Sequence, residues 1–240
     1  MTNPADVDTQ VPAEGTAWKD KPYLKYYADW TPHSLEYNND SLLDMLDRTV
    51  SANSEKTMIE FFGASTTYGD FLQQVNSVAA GLRELGVRKG DRVGMILPNC
   101  PQALISFFAI QRLGGVVATH NPLYTARELE GPFKDHGAKV VIAWDKVAPL
   151  CQELVGKTPL EKIVSANMIE AMPLVKRLAL KLPIKAVREK RDQLHAPAPG
   201  TIPFSKLLDK SLGGDGSNVR TAEGVDASWP AVIMFTSGTT

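Results

Sequence analysis

The sequence predicts an α/β fold, a mostly parallel sheet with helices on both faces. Two observations carry this. Strand and helix signals alternate along residues 40–165, which is the order a parallel sheet with crossover helices requires. The strands also read as unbroken apolar runs, such as Val93-Gly-Met-Ile-Leu97 and Val140-Val-Ile-Ala143. A sheet wetted on one face would alternate apolar and polar residues instead.

Residues 1–39 are expected to form an N-terminal arm, flexible at its start. Residues 1–17 are small and polar without periodicity. Trp18 to Tyr37 is aromatic-rich, holds Pro22 and Pro32, and reads as an extended arm. Lys19, Tyr23, Lys25, Tyr26 and Tyr27 interleave charge and ring as a single-strand nucleic-acid platform would, but Asp20 and Asp29 stand among them and argue against it.

Residues 40–165 are expected to form the α/β subdomain. Asp40 or Ser41 caps a helix through Asp47, with Leu43, Leu46 and Val50 at helical spacing. Thr57 to Phe62 is a short strand. Thr67 opens a second helix with an apolar face of Phe71, Val75, Val78 or Ala79, and Leu82, which Gly86 ends as a left-handed glycine can. After the Lys89-Gly90-Asp91 turn, Arg92 to Leu97 is a strand. Pro98 breaks it, and Pro101 suits the first turn of a helix to Leu113. Val116 to Thr119 is the next strand. Thr125 and Glu128 form a capping-box pattern for a helix ending before Gly137. Lys139 to Trp144 is a buried strand, Lys146 to Val155 a helix, and Lys162 to Ser165 a further strand.

Residues 166–200 break the rhythm as a basic amphipathic insertion. Residues 176–191 hold Lys176, Arg177, Lys181, Lys185, Arg188, Lys190 and Arg191 against a single acid, Glu189. Met168, Met172, Val175, Ala179 and Leu182 recur at helical spacing, interrupted by Pro173 and Pro183. Such a stretch either lies in a membrane interface with its lysines reaching anionic headgroups, or packs its apolar face on the parent domain and leaves its charges in water. Lys176, Arg177, Lys181, Lys185 and Arg188 are the candidate membrane contacts. Residues 201–240 are expected to hold a loop and a final strand, Ala231 to Phe235; Gly213 through Ser228 reads as a flexible surface loop.

Composition narrows the function. The formal net charge is −1, without the basic excess of a nucleic-acid-binding module. Hydrophobic residues at 43% and charged residues at 22% exclude wholesale disorder. The apolar stretch Ala103 to Ile110 stops at Gln111 and Arg112, short of the roughly 20 residues a spanning helix needs. The acidic N-terminus is no secretory signal. Cys100 and Cys151 have no metal-ligand spacing and are expected as reduced thiols of a cytoplasmic protein. His33, His120, His136 and His195 share no spacing either, so a zinc site is not expected. His120, at a strand end, reads as a loop histidine rather than a catalytic one. No Gly-x-Gly-x-x-Gly follows a strand, which argues against a dinucleotide enzyme.

The last residues carry chemistry. Thr236-Ser237-Gly238-Thr239-Thr240 follows an apolar strand. Gly238 permits backbone N–H groups to turn inward as an anion nest, and the hydroxyls can donate to phosphate oxygens. The loop lacks the Gly-x-x-x-x-Gly-Lys of a Walker A site. The chain stops just after launching a fresh strand and loop, so a fragment of a longer protein is expected.

Four blocks, in order, resemble the AMP-forming acyl-CoA synthetases. Thr67-Tyr-Gly-Asp-Phe71 is similar to the family's early helix start, and Gly90-Asp-Arg-Val-Gly-Met-Ile-Leu-Pro-Asn-Cys-Pro-Gln102 to its strand–turn–helix. Gly114-Gly-Val-Val117 through Asn121-Pro-Leu-Tyr-Thr-Ala-Arg-Glu-Leu129 is most like the long-chain fatty acid members, and Met234 to Thr240 resembles the start of the phosphate-binding motif. The resemblance implies the N-terminal part of the synthetase large domain. It also implies a long-chain-fatty-acid-CoA ligase as the full-length parent, activating a fatty acid or related carboxylate with ATP, Mg²⁺ and coenzyme A, in the cytoplasm or peripherally on the inner membrane face. Thr236, Ser237, Gly238, Thr239 and Thr240 map onto the loop for the ATP β- and γ-phosphates. The lysine, adenine block, ribose aspartate, hinge and C-terminal domain of the family have no counterpart in these 240 residues. No catalytic residue and no metal ligand is therefore assigned, and the chain alone is expected to be inactive. The alternative is a non-catalytic nucleotide-binding or membrane-docking module.

Overall fold

The computed structural model describes residues 21–35, 39–209 and 211–235. The chain divides into two units, residues 1–38 and 39–240. In the first, Pro22–Tyr26 coils into a short 3-10 helix, where the expectation was extended chain; the pyrrolidine ring sets φ at about −65°, which suits a helical first turn as well as an extended one. The expected flexible leader, residues 1–17, lies outside the described residues.

In the second unit, helix α1 (Leu42–Asn53) starts at a capping box. The Asp44 N–H donates to Ser41 Oγ at 3.2 Å, and the Ser41 N–H donates to Asp44 Oδ2 at 2.8 Å. The helix continues past Asp47 because neither glycine nor proline intervenes before Asn53. Strands β1 (Thr57–Phe61) and β2 (Ala64–Thr67) form a separate antiparallel hairpin. Phe62 was expected to end the strand; instead it shares the turn with Gly63, both at positive φ (50° and 88°). That is the backbone a two-residue hairpin turn needs. The second strand, Ala-Ser-Thr-Thr, has no apolar alternation to announce it.

Helix α2 (Tyr68–Glu84) is capped by Thr67 and buries Phe71, Val75, Val78, Ala79 and Leu82. Then follow β3 (Arg92–Ile96), α3 (Pro101–Arg112), β4 (Val116–Thr119) and α4 (Ala126–His136). The Thr125–Glu128 capping box is present, and Gly137, at φ 66°, closes α4. Next come β5 (Val140–Trp144), a 3-10 turn at Asp145–Val147, α5 (Ala148–Leu154) and β6 (Lys162–Ala166). Residues 166–200 divide at Pro173. Met168, Ile169 and Met172 are buried, whereas α6 (Leu174–Ala179) and α7 (Lys185–Leu194) bury nothing. The chain ends in β7 (Ile202–Pro203), α8 (Ser205–Leu208) and β8 (Val232–Met234).

Six strands make one sheet in the order β7-β6-β5-β3-β4-β8, every pair parallel. Side chains alternate between its faces. Val140 and Ile142 join the core under α2, α3 and α8, while Val141 and Ala143 join Leu129, Phe133, Cys151 and Leu154 under α4 and α5. Gly94 in β3 makes room for Phe133: a Cβ there would lie 2.9 Å from its ring and 3.0 Å from Val141.

Of residues 213–228, expected as a flexible surface loop, the stretch from Gly213 to Val219 lies against α2. A Cβ on Gly213 would fall 2.4 Å from the Ala80 carbonyl carbon, and one on Gly216 would fall 2.3 Å from that of Asn76. Val219 is buried. The glycines that looked like slack are the residues that let this strap lie against helix backbone.

Candidate functional site at the carboxyl end of the sheet

Because all six strands are parallel, their carboxyl ends lie along one edge, where open α/β sheets place ligands. Here β3 runs into Leu97–Cys100, β4 into His120, β5 into Asp145, β6 into Asn167 and β8 into Phe235. The loop expected to bind phosphate, Thr236, Ser237, Gly238, Thr239 and Thr240, lies outside the described residues. The structure does show what holds the strand before it. β8 pairs with β4 from Val117↔Val232 to Thr119↔Met234, and Gln111 Nε2 donates to the Ala231 carbonyl. Trp229 Nε1 donates to the Gly114 carbonyl at 3.2 Å, under the Lys89 ammonium 4.5 Å from the ring centroid.

His120 is more than a loop histidine. Its ring is stacked between Phe133 and Phe235, with centroids 5.2 and 5.3 Å away. Its Nε2 lies 3.0 Å from Nε2 of His136, the last residue of α4. The Ala138 N–H donates to His136 Nδ1 at 3.0 Å. That nitrogen is therefore an acceptor, so the His136 proton sits on Nε2 and is donated to His120. His120 must then carry its own proton on Nδ1, which is buried without a partner among the described residues. Burial holds the His120 pKa down to about 4. Burial, then His120 and Arg92, hold that of His136 down to about 4. Both rings are neutral at pH 7.

A second cluster forms at the ends of β5 and β6. His195, at the C-terminus of α7, pairs through Nδ1 with the buried Asp145 carboxylate, which also accepts the Ala196 N–H at 3.3 Å. Burial pushes the Asp145 carboxyl up, and His195 and the hydrogen bonds oppose this. Glu170 is also raised by burial, with Arg177 pulling the other way. Glu170, Arg177, Lys181, Arg191 and His195 line an open cavity of about 670 Å³ within the insertion. The sequence offered one signal for this pair: Asp145 directly follows a central strand at its carboxyl end. Nothing in spacing linked it to His195, fifty residues on.

The candidate membrane contacts Lys176, Arg177, Lys181, Lys185 and Arg188 are all exposed on α6, α7 and the segment between. Cys100 and Cys151 are buried free thiols. Among the described residues no group of three or more His, Cys, Asp or Glu could hold a metal ion, and no helix is long and apolar enough to cross a membrane.

Residues 46–240 match the sequence pattern of a family described as AMP-binding enzyme. A long-chain-fatty-acid–CoA ligase of Bacillus subtilis is 34% identical over 158 residues, which cover 66% of this chain and 28% of that protein. An acetyl-coenzyme A synthetase of Streptomyces coelicolor is 28% identical over 236 residues, covering 95% of this chain and 33% of that one. Among solved structures, an anthranilate CoA ligase in complex with anthranoyl-AMP superposes with TM-score 0.66 at 22% identity, covering 85% of this chain and 34% of that one. A long-chain-fatty-acid-CoA ligase from Archaeoglobus fulgidus superposes with TM-score 0.63 at 21% identity, covering 86% and 36%. At these identities the structures speak for the fold alone. The chain spans about a third of the length of the proteins it matches.

Proposed function

Since this chain belongs to the AMP-binding enzyme family, we propose that it supplies the first strands and the phosphate loop of an ATP-dependent, AMP-forming ligase that converts a carboxylic acid to its coenzyme A thioester. A fatty acid is the favoured substrate, on the strength of the similarity to long-chain-fatty-acid–CoA ligases. One observation carries the reading: the family match runs through residue 240, across the strand β8 and the hydroxyl-rich segment that follows it.

A carboxylate is unreactive toward a thiol because oxide is a poor leaving group. In the proposed first step a carboxylate oxygen attacks the α-phosphorus of ATP, the bond to pyrophosphate breaks, and an acyl-adenylate forms. The thiol of coenzyme A then adds to the acyl carbon, loses its proton, and expels AMP. The part proposed for this chain is to hold the departing phosphates. The Thr236, Ser237, Thr239 and Thr240 hydroxyls and the backbone around Gly238 would donate to β- and γ-phosphate oxygens as charge develops there. Magnesium bound to the triphosphate would neutralise its charge; among the described residues no cluster of acidic ligands is present. The 240 residues alone are proposed to be inactive, since none of them corresponds to the family's adenine block or catalytic lysine.

The test is ATP–pyrophosphate exchange and thioester formation by the longest form of the protein across a series of carboxylates. Ser237→Ala and Thr240→Ala are expected to lower kcat/KM for ATP by about a hundredfold, the lower end of the cost of losing one oxyanion-type donor. Nucleotide cleavage that is not coupled to a thioester would overturn the assignment, and exchange by the 240 residues alone would overturn their proposed inactivity.

A further inference from the structure

We propose that α6, together with the tip of the β1–β2 hairpin, is a docking surface for a bilayer of anionic lipid. The proposal is independent of the ligase chemistry, because it rests on a surface and not on the nucleotide loop.

Leu174, Val175 and Leu178 are 65%, 78% and 53% exposed. At 100° per residue they fall within one 100° arc of α6. Leu182 and Ile184, in the segment leading to α7, are exposed as well. An apolar helix face ordinarily packs on its own domain. In this insertion that packing is done by Met168, Ile169 and Met172, before the chain turns at Pro173. The face beyond is left to solvent among the described residues.

The hairpin extends it. Phe62, half exposed at the turn, is held beside α6 by Lys176, whose Nζ donates to the Phe62 carbonyl at 2.6 Å and lies 5.9 Å from its ring centroid. Two segments 114 positions apart thus present one apolar surface. The flanks are basic: Lys181, Lys185, Arg188 and Lys190 are exposed, and residues 176–191 carry seven cations against Glu189. Since the whole chain is close to neutral, the remainder is net acidic and would be repelled by an anionic surface. The field therefore favours one orientation.

Charge and apolar surface together select the occupant. Each cation near an anionic bilayer raises partitioning roughly fivefold, while Leu, Val and Phe gain by entering the interface. A nucleic-acid backbone would use the first and not the second. A second copy of the chain would bring the same positive charge against it.

The experiment is flotation of the protein with phosphatidylcholine vesicles, alone and mixed with phosphatidylglycerol. Binding is expected only with phosphatidylglycerol, with release near about 0.5 M salt, where screening is short-ranged. Lys181→Glu, Lys185→Glu and Arg188→Glu together should weaken it by about a hundredfold or more. Phe62→Ser with Leu178→Ser should weaken it at unchanged charge, with melting temperature preserved because neither side chain is buried. The proposal fails if neither vesicle binds, if both bind equally, or if charge reversal makes no difference. It fails equally if the protein self-associates in solution and Leu178→Ser abolishes this, or if hydroxyl-radical footprinting finds Leu174 and Leu178 shielded without vesicles; either result would assign the face to a protein interface.

Discussion

His136 donates its Nε2 proton to His120 Nε2 across 3.0 Å, and the backbone N–H of Ala138 sets the direction by occupying His136 Nδ1. This joins the end of α4 to the end of β4, beside the last residue of the described chain. It also makes both imidazoles buried neutral bases.

That pair makes stability fall with acid. Both folded pKa values are depressed to about 4, while unfolded histidines titrate near 6.5, so below pH 6.5 the unfolded state binds more protons. The stabilisation is complete above pH 6.5 and is lost as pH falls toward about 4. Between pH 6.5 and 5 the loss is about 2 kcal/mol per histidine. Urea midpoints across this range should show it, and His120→Asn with His136→Asn should flatten the curve; a flat wild-type curve would contradict the neutral pair.

Gly94→Ala should destabilise by about 1–3 kcal/mol through overpacking, because the new methyl lies 2.9 Å from the Phe133 ring and 3.0 Å from Val141. Phe133→Leu in the same chain should recover part of the loss. Chemical denaturation of the single and double variants measures both.

Arg112 and Asp47 should respond asymmetrically. The guanidinium is 6% exposed and bidentate to the carboxylate, at 2.6 and 2.8 Å, while Asp47 is 45% exposed. Asp47→Ala strands a buried cation and should cost about 2–3 kcal/mol. Arg112→Met leaves an acid that water can reach, and should cost less. Equal costs in urea denaturation would argue against the buried-charge account.

Neither cysteine should be labelled rapidly by an alkylating reagent at pH 8. Burial raises the Cys100 thiol and pushes that of Cys151 up to about 12, and the thiolate is the nucleophile. Both should react once the chain is unfolded. If opening is local, Cys100 should react first, since Cys151 is fully buried.

The sequence by itself determined the elements whose causes are local. The Thr125–Glu128 cap, Pro101 at a helix start, Gly86 and Gly137 at helix ends, and the apolar runs of β3 and β5 depend on neighbours within a few positions. Their periods and caps are therefore visible in the order of residues. The family likewise shows in contiguous blocks. Tertiary structure alone decided what depends on distance. The Asp145–His195 contact closes over fifty residues. The His120–His136 tautomer hangs on one backbone N–H, and the strap at Gly213 and Gly216 is defined by the backbone of α2. The sequence left two fates open for the apolar stripe of 166–200. The structure divides it at Pro173, because among the described residues a covering surface is available to Met168 and Met172 and not to Leu174 and Leu178. Burial belongs to the packed neighbours around a residue, and a sequence pattern records only that residue's own preference.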